Sequence, residues 1–267
     1  MTYDLRDTIF ASVADRLYVA DVRLTSAGVI CGVEWATQKA QALGCEILQS
    51  AADGDDVGVE APILSMRGSA KAIAMAEDCV PGAIAKPSGI SRAMRRAQQL
   101  AGTRVRVVSG AAKKMPEEIK DQIRRAVHRG GGSGRISEVP FLYLDKNYVR
   151  MFGSVRKTLE AVAPMQGYAR AIQLRGLLED IAAEARAAIE LGAEILMVDS
   201  GRLEDLDLVA QLVRDAGRRD RTTIAFAGDI AMEDIPGVAA HDVDILDIGR
   251  AILDAPIVDV KFDVRAG

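Results

Sequence analysis

Lys113, Asp199, Gly228-Asp229 and Gly249-Arg250 are the residues whose types and settings could hold an anionic ligand. Each ends or follows a short apolar run. Lys113 comes after Val105 to Val108 and a Ser109-Gly110-Ala111-Ala112 turn whose small side chains leave room for a ligand. A lysine so placed can hold phosphate or pyrophosphate. Burial can also lower its pKa far enough for Schiff-base chemistry, and a plain surface lysine beside Lys114 is the third reading. Asp199 ends Ile195-Leu196-Met197-Val198. A carboxylate buried there without a partner is costly, so the position suits a ribose hydroxyl or a metal ion. The competing account is a helix cap made by Asp199 or Ser200.

Gly228 and Asp229 end Ile224-Ala225-Phe226, and Gly249 and Arg250 end Val243 to Ile248. Strand-end loops and the helix N-termini after them commonly hold phosphate. Arg250 adds a cation, whereas Asp229 opposes phosphate unless it caps a helix or meets a metal. Simple turn chemistry is the alternative. Arg135 follows the Gly130-Gly131-Gly132-Ser133-Gly134 loop, which can fold over an anion or serve only as a linker. Lys146 and Arg175 are further candidate cations, with a salt bridge as the competing role for Arg175, and Gln173 lies two residues before it. His128, among Arg124, Arg125 and Arg129 near a helix end, suits a dipole contact better than catalysis. Two histidines, His128 and His241, without a tight carboxylate cluster argue against a transition-metal enzyme.

The elements that must position these residues are strand, turn and helix in repetition. The apolar runs above alternate with helical patterns at Ile181 to Leu191 and Leu203 to Ala216. Parallel strands covered by helices on both faces read as continuous apolar runs, and barrels of such units carry their chemistry at the strand ends. Before Thr103 the pattern differs. It reads as an opening helix (Asp4 to Leu17), strands at Arg16 to Leu24, Ala27 to Val33, Cys45 to Ser50 and Ala61 to Gly68, and a helix at Glu34 to Leu43. A second helix from Ala70 is expected to break at Pro81-Gly82 and to resume from Ser88 to Leu100. Glu117 to His128 is a helix entered by Pro116. Val258 to Val264 alternates Val258, Val260, Phe262 and Val264, the period of a half-buried antiparallel strand returning to the first sheet.

The chain has 267 residues and a net charge of -4. That length suits a barrel plus a smaller companion, and that charge disfavours a general nucleic-acid surface. Cys31, Cys45 and Cys79 form neither a disulfide framework nor a zinc motif. No secretory leader or membrane-length apolar run is visible, so a cytoplasmic protein without membrane or nucleic-acid partners is expected.

Several stretches resemble the quinolinate phosphoribosyltransferase family, also called carboxylating nicotinate-nucleotide pyrophosphorylase, and its paralogue encoded beside molybdenum transporters. They run in the family's order over most of the chain: Ala27 to Gly32, Asp53-Gly54-Asp55, Arg67-Gly68-Ser69-Ala70, Ala76-Glu77, Ser88-Gly89-Ile90, Lys113 with Pro116, Gly130-Gly131-Gly132, Gly192 to Asp199, Gly228, Gly249 and Ala255-Pro256. The resemblance implies a small N-terminal α/β sandwich, residues 1–103 joined by 257–267, and an open α/β barrel, residues 104–256. It also implies a homodimer or an assembly of dimers. The reaction it implies joins quinolinate to the ribose of phosphoribosyl pyrophosphate with Mg2+, releasing pyrophosphate and carbon dioxide. In that reading Lys113 and Asp199 are catalytic and Asp199 faces the metal. Gly228, Asp229, Gly249 and Arg250 hold phosphate, and Arg135, Lys146, Asp78, Gln173 and Arg175 face substrate.

The departures fall on the cations a dianion needs. Asp78 stands where the family has Arg, Ala112 replaces the Arg before Lys113, and only Arg135 remains of Asn-His-Arg. Asp145 replaces the barrel Lys, with Lys146 and Asn147 beside it, and Gln173 falls near the first metal-side Glu. One unit charge at 4 Å is worth about 4 kcal/mol at an effective dielectric near 20. The expectation is therefore phosphoribosyl or related glycosyl transfer, with a sugar phosphate or phosphoribosyl pyrophosphate as the anionic partner and an acceptor other than quinolinate. Asp78 would select a substrate amine or ring N–H, or mark a lost site. An inactive ligand-sensing or scaffold relative and a lyase using Lys113 are the alternatives.

Overall fold

The computed structural model describes residues 4–265. Their strands are β1 (Leu17–Leu24), β2 (Gly28–Val29), β3 (Glu46–Ser50), β4 (Asp56–Val57), β5 (Pro62–Ser69), β6 (Arg106–Val108), β7 (Phe141–Leu144), β8 (Ala169–Leu174), β9 (Ile195–Val198), β10 (Thr223–Ala227), β11 (Ile245–Asp247) and β12 (Val260–Val264). The helices are α1 (Leu5–Ile9), α2 (Val33–Ala42), α3 (Ala70–Ala101), α4 (Glu117–Arg129), α5 (Lys146–Phe152), α6 (Val155–Val162), α7 (Ile181–Glu190), α8 (Leu203–Asp215), α9 (Ile235–Ala239) and α10 (Arg250–Leu253). They form two units. One takes the described chain up to Arg95, Met115–Gly131 and the chain from Asp254; the other takes Arg96–Lys114 and Gly132–Leu253. The division thus falls at Arg95 rather than near Thr103, and α4 belongs to the first unit, not to the barrel stretch in which it lies. Residues 1–3 and 266–267 of the expected first domain lie outside the described residues.

The first unit is built on an antiparallel sheet of order β12-β1-β5-β3. The period-2 pattern near the C-terminus forms β12, which pairs with β1 from Ala20↔Val264 to Leu24↔Val260. On β1, Ala20, Val22 and Leu24 are fully buried. They pack with Leu64 and Met66 of β5 and with the apolar faces of α2 and α3. Asp21 alternates to the opposite face and is also buried. Its carboxylate accepts hydrogen bonds from Ser65 Oγ (2.6 Å), Arg265 Nε (2.9 Å) and Arg23 Nη2 (2.6 Å). The Arg265 bond leads in holding its pKa down at about 2, against the opposing effect of burial.

The opening helix is shorter than the sequence suggests: α1 gives way to a single turn, Ala11–Val13. The expected break at Pro81 does not occur, because α3 runs through Pro81 and Pro87 without interruption. Each interior proline removes one backbone hydrogen bond, a loss of about 3 kcal/mol or more. Opposing it, Ile73, Ala76, Val80, Ala83 and Ile84 repeat at helical spacing and are at most 3% exposed. Burying such side chains is worth about 1.5–3 kcal/mol for each large one, so packing carries the helix through.

The second unit is an open barrel-like parallel sheet of order β6-β11-β10-β9-β8-β7 with helices between strands. All four residues of β9 are buried, as two-sided coverage requires. Successive side chains on a strand alternate between faces. Ala171, Ile195, Met197, Ala225, Ile245 and Val108 therefore share one apolar cluster. The three thiols are free, as their spacing suggests. No helix among the described residues is long and apolar enough to cross a membrane.

Candidate functional site

The inward-facing rows of the parallel sheet change character toward the strand ends. Two residues beyond Ala171 comes Gln173; two beyond Met197 comes Asp199; two beyond Ile245 comes Asp247; two beyond Phe141 comes Tyr143, then Asp145. Cross-strand pairing aligns these rows, with Gln173 opposite Met197 and Asp247 between Ala227 and Val108. The polar ends line one cleft of about 420 Å3, which Gly110, Ala111, Lys113, Lys114, Lys146, Arg175, Gly228, Asp229, Gly249 and Arg250 complete. Lys113, Lys146, Gln173, Arg175, Asp199, Gly228, Asp229, Gly249 and Arg250, separated by up to 137 positions in the chain, thus share a cavity.

Gln173 ties the cleft wall together. Its Oε1 accepts from the Lys146 backbone N–H at 2.6 Å, and its Nε2 donates to Asp199 Oδ2. Arg175 Nη1 lies 3.3 Å from the same Asp199 oxygen, so the predicted salt bridge exists within the cleft. The loop bearing Arg175 is held by Glu184, which accepts from the Arg175 and Gly176 backbone N–H groups at 2.8 and 2.9 Å. Burial pushes the Glu184 carboxyl above its ordinary pKa.

Asp145 caps α5, accepting from the Asn147 backbone N–H at 2.8 Å. Asp229 pairs with Arg250 Nη2 at 2.6 Å, and both are about two-thirds exposed. Gly228 has φ +134 and packs against Gly201 so closely that a Cβ would stand 2.2 Å from Gly201 Cα. Only glycine allows that approach. Lys113, Lys114 and Lys146 form no ion pair among the described residues, although all three line the cleft.

Two predicted residues do not join the cleft. Asp78 lies on α3 in the first unit, where Arg6 Nη2 meets its carboxylate at 2.6 Å. That pairing, not a substrate amine, satisfies its charge. Arg135 belongs to the second unit, but its exposed loop is held locally by Ser133 Oγ, which accepts the Arg135 N–H at 3.1 Å. It is not among the residues lining the cleft. His241 is engaged by Asp207 at 2.7 Å.

The sequence pattern does not single out Tyr143 or Asp247, which also line the cleft. Burial pushes the Asp247 carboxyl above its ordinary pKa; the Gly110 N–H and the Lys113 charge pull the other way, and Asp199 adds to the rise. Burial also raises the Tyr143 hydroxyl, helped by Asp247, Asp199 and Asp145. A single Asp inside the apolar Ile245 to Ile248 run was the available signal.

Among the described residues no group of three or more His, Cys, Asp or Glu could hold a metal. Mg2+, however, is commonly held by one or two carboxylates plus substrate phosphates and water. Asp199 Oδ2 is engaged by Gln173 and Arg175, which leaves Oδ1. This donor set fits an ion completed by a phosphate ligand, not a resident ion in an all-protein cage.

Comparison with known proteins agrees with this architecture. Residues 7–88 match the quinolinate phosphoribosyl transferase N-terminal domain, and residues 90–263 match the C-terminal domain. A probable carboxylating nicotinate-nucleotide pyrophosphorylase of Methanothermobacter thermautotrophicus is 24% identical over 251 residues, covering 92% of this chain and 88% of that protein. The human carboxylating nicotinate-nucleotide pyrophosphorylase is 21% identical, with 90% and 80% covered. The solved structure of the Francisella tularensis nicotinate-nucleotide pyrophosphorylase superposes with a TM-score of 0.79 at 20% identity, covering 98% of this chain and 94% of that one. Both halves of the sequence and the strand-end cleft lead to one assignment: the chain belongs to the quinolinate phosphoribosyltransferase family.

Proposed function

We propose that this chain transfers a phosphoribosyl group from phosphoribosyl pyrophosphate to an acceptor less negatively charged than quinolinate. The observation that carries the reading is the convergence of Lys113, Lys114 and Lys146, none engaged in an ion pair among the described residues, with Asp199 in one cleft. Lysines serve as point-charge partners of phosphate. In this reading Lys113 and Lys114, on the turn after β6, stabilise charge developing on departing pyrophosphate. The backbone at Gly228 and Gly249, with Arg250, takes the 5-phosphate. Asp199, oriented by Gln173 and Arg175, accepts from a ribose hydroxyl. Mg2+, held through Asp199 and substrate oxygens, would neutralise part of the pyrophosphate charge.

The matched domain models, described as quinolinate phosphoribosyl transferase, favour quinolinate as the acceptor. The cleft's charge favours another: its five cations face the carboxylates of Asp145, Asp199, Asp229 and Asp247. After phosphoribosyl pyrophosphate is bound, little positive charge remains for a dianion. No observation favours the ligand-sensing or scaffold reading, or the lyase, over transfer.

Calorimetric titration with phosphoribosyl pyrophosphate and MgCl2 tests the donor, and release of carbon dioxide from quinolinate tests the acceptor. Binding in the micromolar-to-millimolar range without carbon dioxide release is expected. Absence of binding would overturn phosphoribosyl transfer; quinolinate decarboxylation would assign the relatives' reaction to this chain. Sedimentation velocity checks the expected homodimer.

A further inference from the structure

Asp247 is a carboxylate that the phosphoribosyl-transfer reading leaves without work. It ends β11, two residues beyond buried Ile245 and between the apolar cross-strand partners Ala227 and Val108. Its Oδ1 accepts from the Gly110 N–H at 3.1 Å. Its Oδ2 has no hydrogen-bond or ion-pair partner among the described residues. That oxygen is not sealed in the interior either, because Ser109 Oγ is the one buried side-chain polar atom left unpaired among them. Asp247 lines the cleft, so Oδ2 opens into it.

The surroundings keep that opening clear. Gly110 and Ala227 adjoin Asp247, and Ala111 and Gly249 also line the cleft, all with little or no side chain. A Cβ at Gly110 would stand 3.5 Å from Asp247 Oδ2, so glycine leaves the oxygen uncovered from that side. Partial burial makes an unanswered carboxylate costly. Lys113 and Lys114 act on it at a distance without contact. A hydrogen-bond donor on a bound ligand would answer Oδ2, whereas a ligand carboxylate would be repelled.

We propose that Asp247 sets acceptor choice: it accepts a hydrogen bond from a nitrogen-borne hydrogen and excludes a second acceptor carboxylate. The acceptor class is then a compound with at most one carboxylate and an N–H donor. This rests on the phosphoribosyl-transfer reading and deepens it. Asp247 is assigned no bond-making step.

The test is calorimetry on the wild type, D247N and D247S with two probes, quinolinate and 2-aminobenzoate, and separately with phosphoribosyl pyrophosphate. 2-Aminobenzoate replaces one carboxylate of an ortho pair with an amine. The wild type is expected to prefer it by about ten-fold or more, the worth of a hydrogen bond to a charged group. D247S should erase that preference. D247N, which keeps the shape of the side chain, should strengthen quinolinate binding by removing the charge, and circular dichroism checks that each variant folds. A wild type that binds both probes equally or neither, or a preference that survives in D247S and D247N, overturns the proposal. Failure of the wild type to bind phosphoribosyl pyrophosphate overturns the transfer reading instead.

Discussion

Replacing Gln173 with Glu turns the contact that orients the cleft into a clash of like charges. The Lys146 N–H must meet an acceptor, which fixes Oε1 on that side and leaves Nε2 as the donor to Asp199. Gln173→Glu removes that donor and sets two carboxylates at hydrogen-bond distance. At an effective dielectric near 20 and a separation of about 3 Å, the repulsion is about 5 kcal/mol. Proton uptake caps the loss, because holding a carboxyl of ordinary pKa about 4.3 protonated at pH 7 costs about 4 kcal/mol. Arg175, 3.3 Å from Asp199, offsets part of either. The expected net destabilisation is about 2–4 kcal/mol at pH 7. The sign follows from the raised folded-state pKa of the new pair: stability matches the wild type below about pH 4 and is lost as pH rises through the raised value. Urea unfolding at pH 4 and pH 7.5 measures this. Two adjacent carboxylates also make a better divalent-cation site, so millimolar MgCl2 should restore stability to the variant and much less to the wild type. A variant as stable as the wild type at pH 7.5 and indifferent to Mg2+ would refute the Gln173–Asp199 bond as described.

Three further outcomes follow from single contacts. Gly228→Ala places a Cβ 2.2 Å from Gly201 Cα at φ +134; a loss of about 3 kcal/mol in urea unfolding is expected, with phosphoribosyl pyrophosphate binding lost in calorimetry. Lys113→Ala and Lys146→Ala should each weaken that binding by about ten-fold or more at low salt, with the difference shrinking as salt rises. Asp21, with its pKa held down at about 2 by Arg265 and Ser65, contributes about 2 kcal/mol that is present above pH 4 and lost as pH falls through 2. Asp21→Asn should lower the urea midpoint at pH 7 and flatten its dependence between pH 4 and pH 2.

The strand ends are legible because burial on both faces leaves few polar residues in the second half of a parallel strand until it reaches the cleft. Asp199 and Gly228 announce themselves that way. Asp247 obeys the same rule, but Ile248 follows it, so the apolar run continues past the carboxylate and hides the strand end. α5 is a short helix with little apolar periodicity, and its signals are its ends: Asp145 caps it and Gly153, in the left-handed region at φ 91, closes it. Asp78 and Arg135 fall outside the cleft lining for a different reason. The expectation for Asp78 rests on the order of family motifs, and that for Arg135 on that order and the glycine-rich loop before it; neither reports what a side chain touches. Arg6, 72 positions away, satisfies Asp78, and no local pattern encodes that contact.

The division of the cleft's cations into engaged and free ones bears most directly on substrate choice. Arg175 and Arg250, whose forks suit a carboxylate in bidentate fashion, already face Asp199 and Asp229. The charge of each is already partly answered, so a dicarboxylate gains less from either than from a free guanidinium. The unengaged cations are lysines, compact charges that suit the several oxygens of a phosphate without demanding a planar partner. On the phosphoribosyl-transfer reading proposed above, Lys113, Lys114 and Lys146 are the cations left to attract the donor. On the same reading, acceptors are told apart by the carboxylates that remain, and of these Asp247 has one oxygen without a hydrogen-bond partner among the described residues.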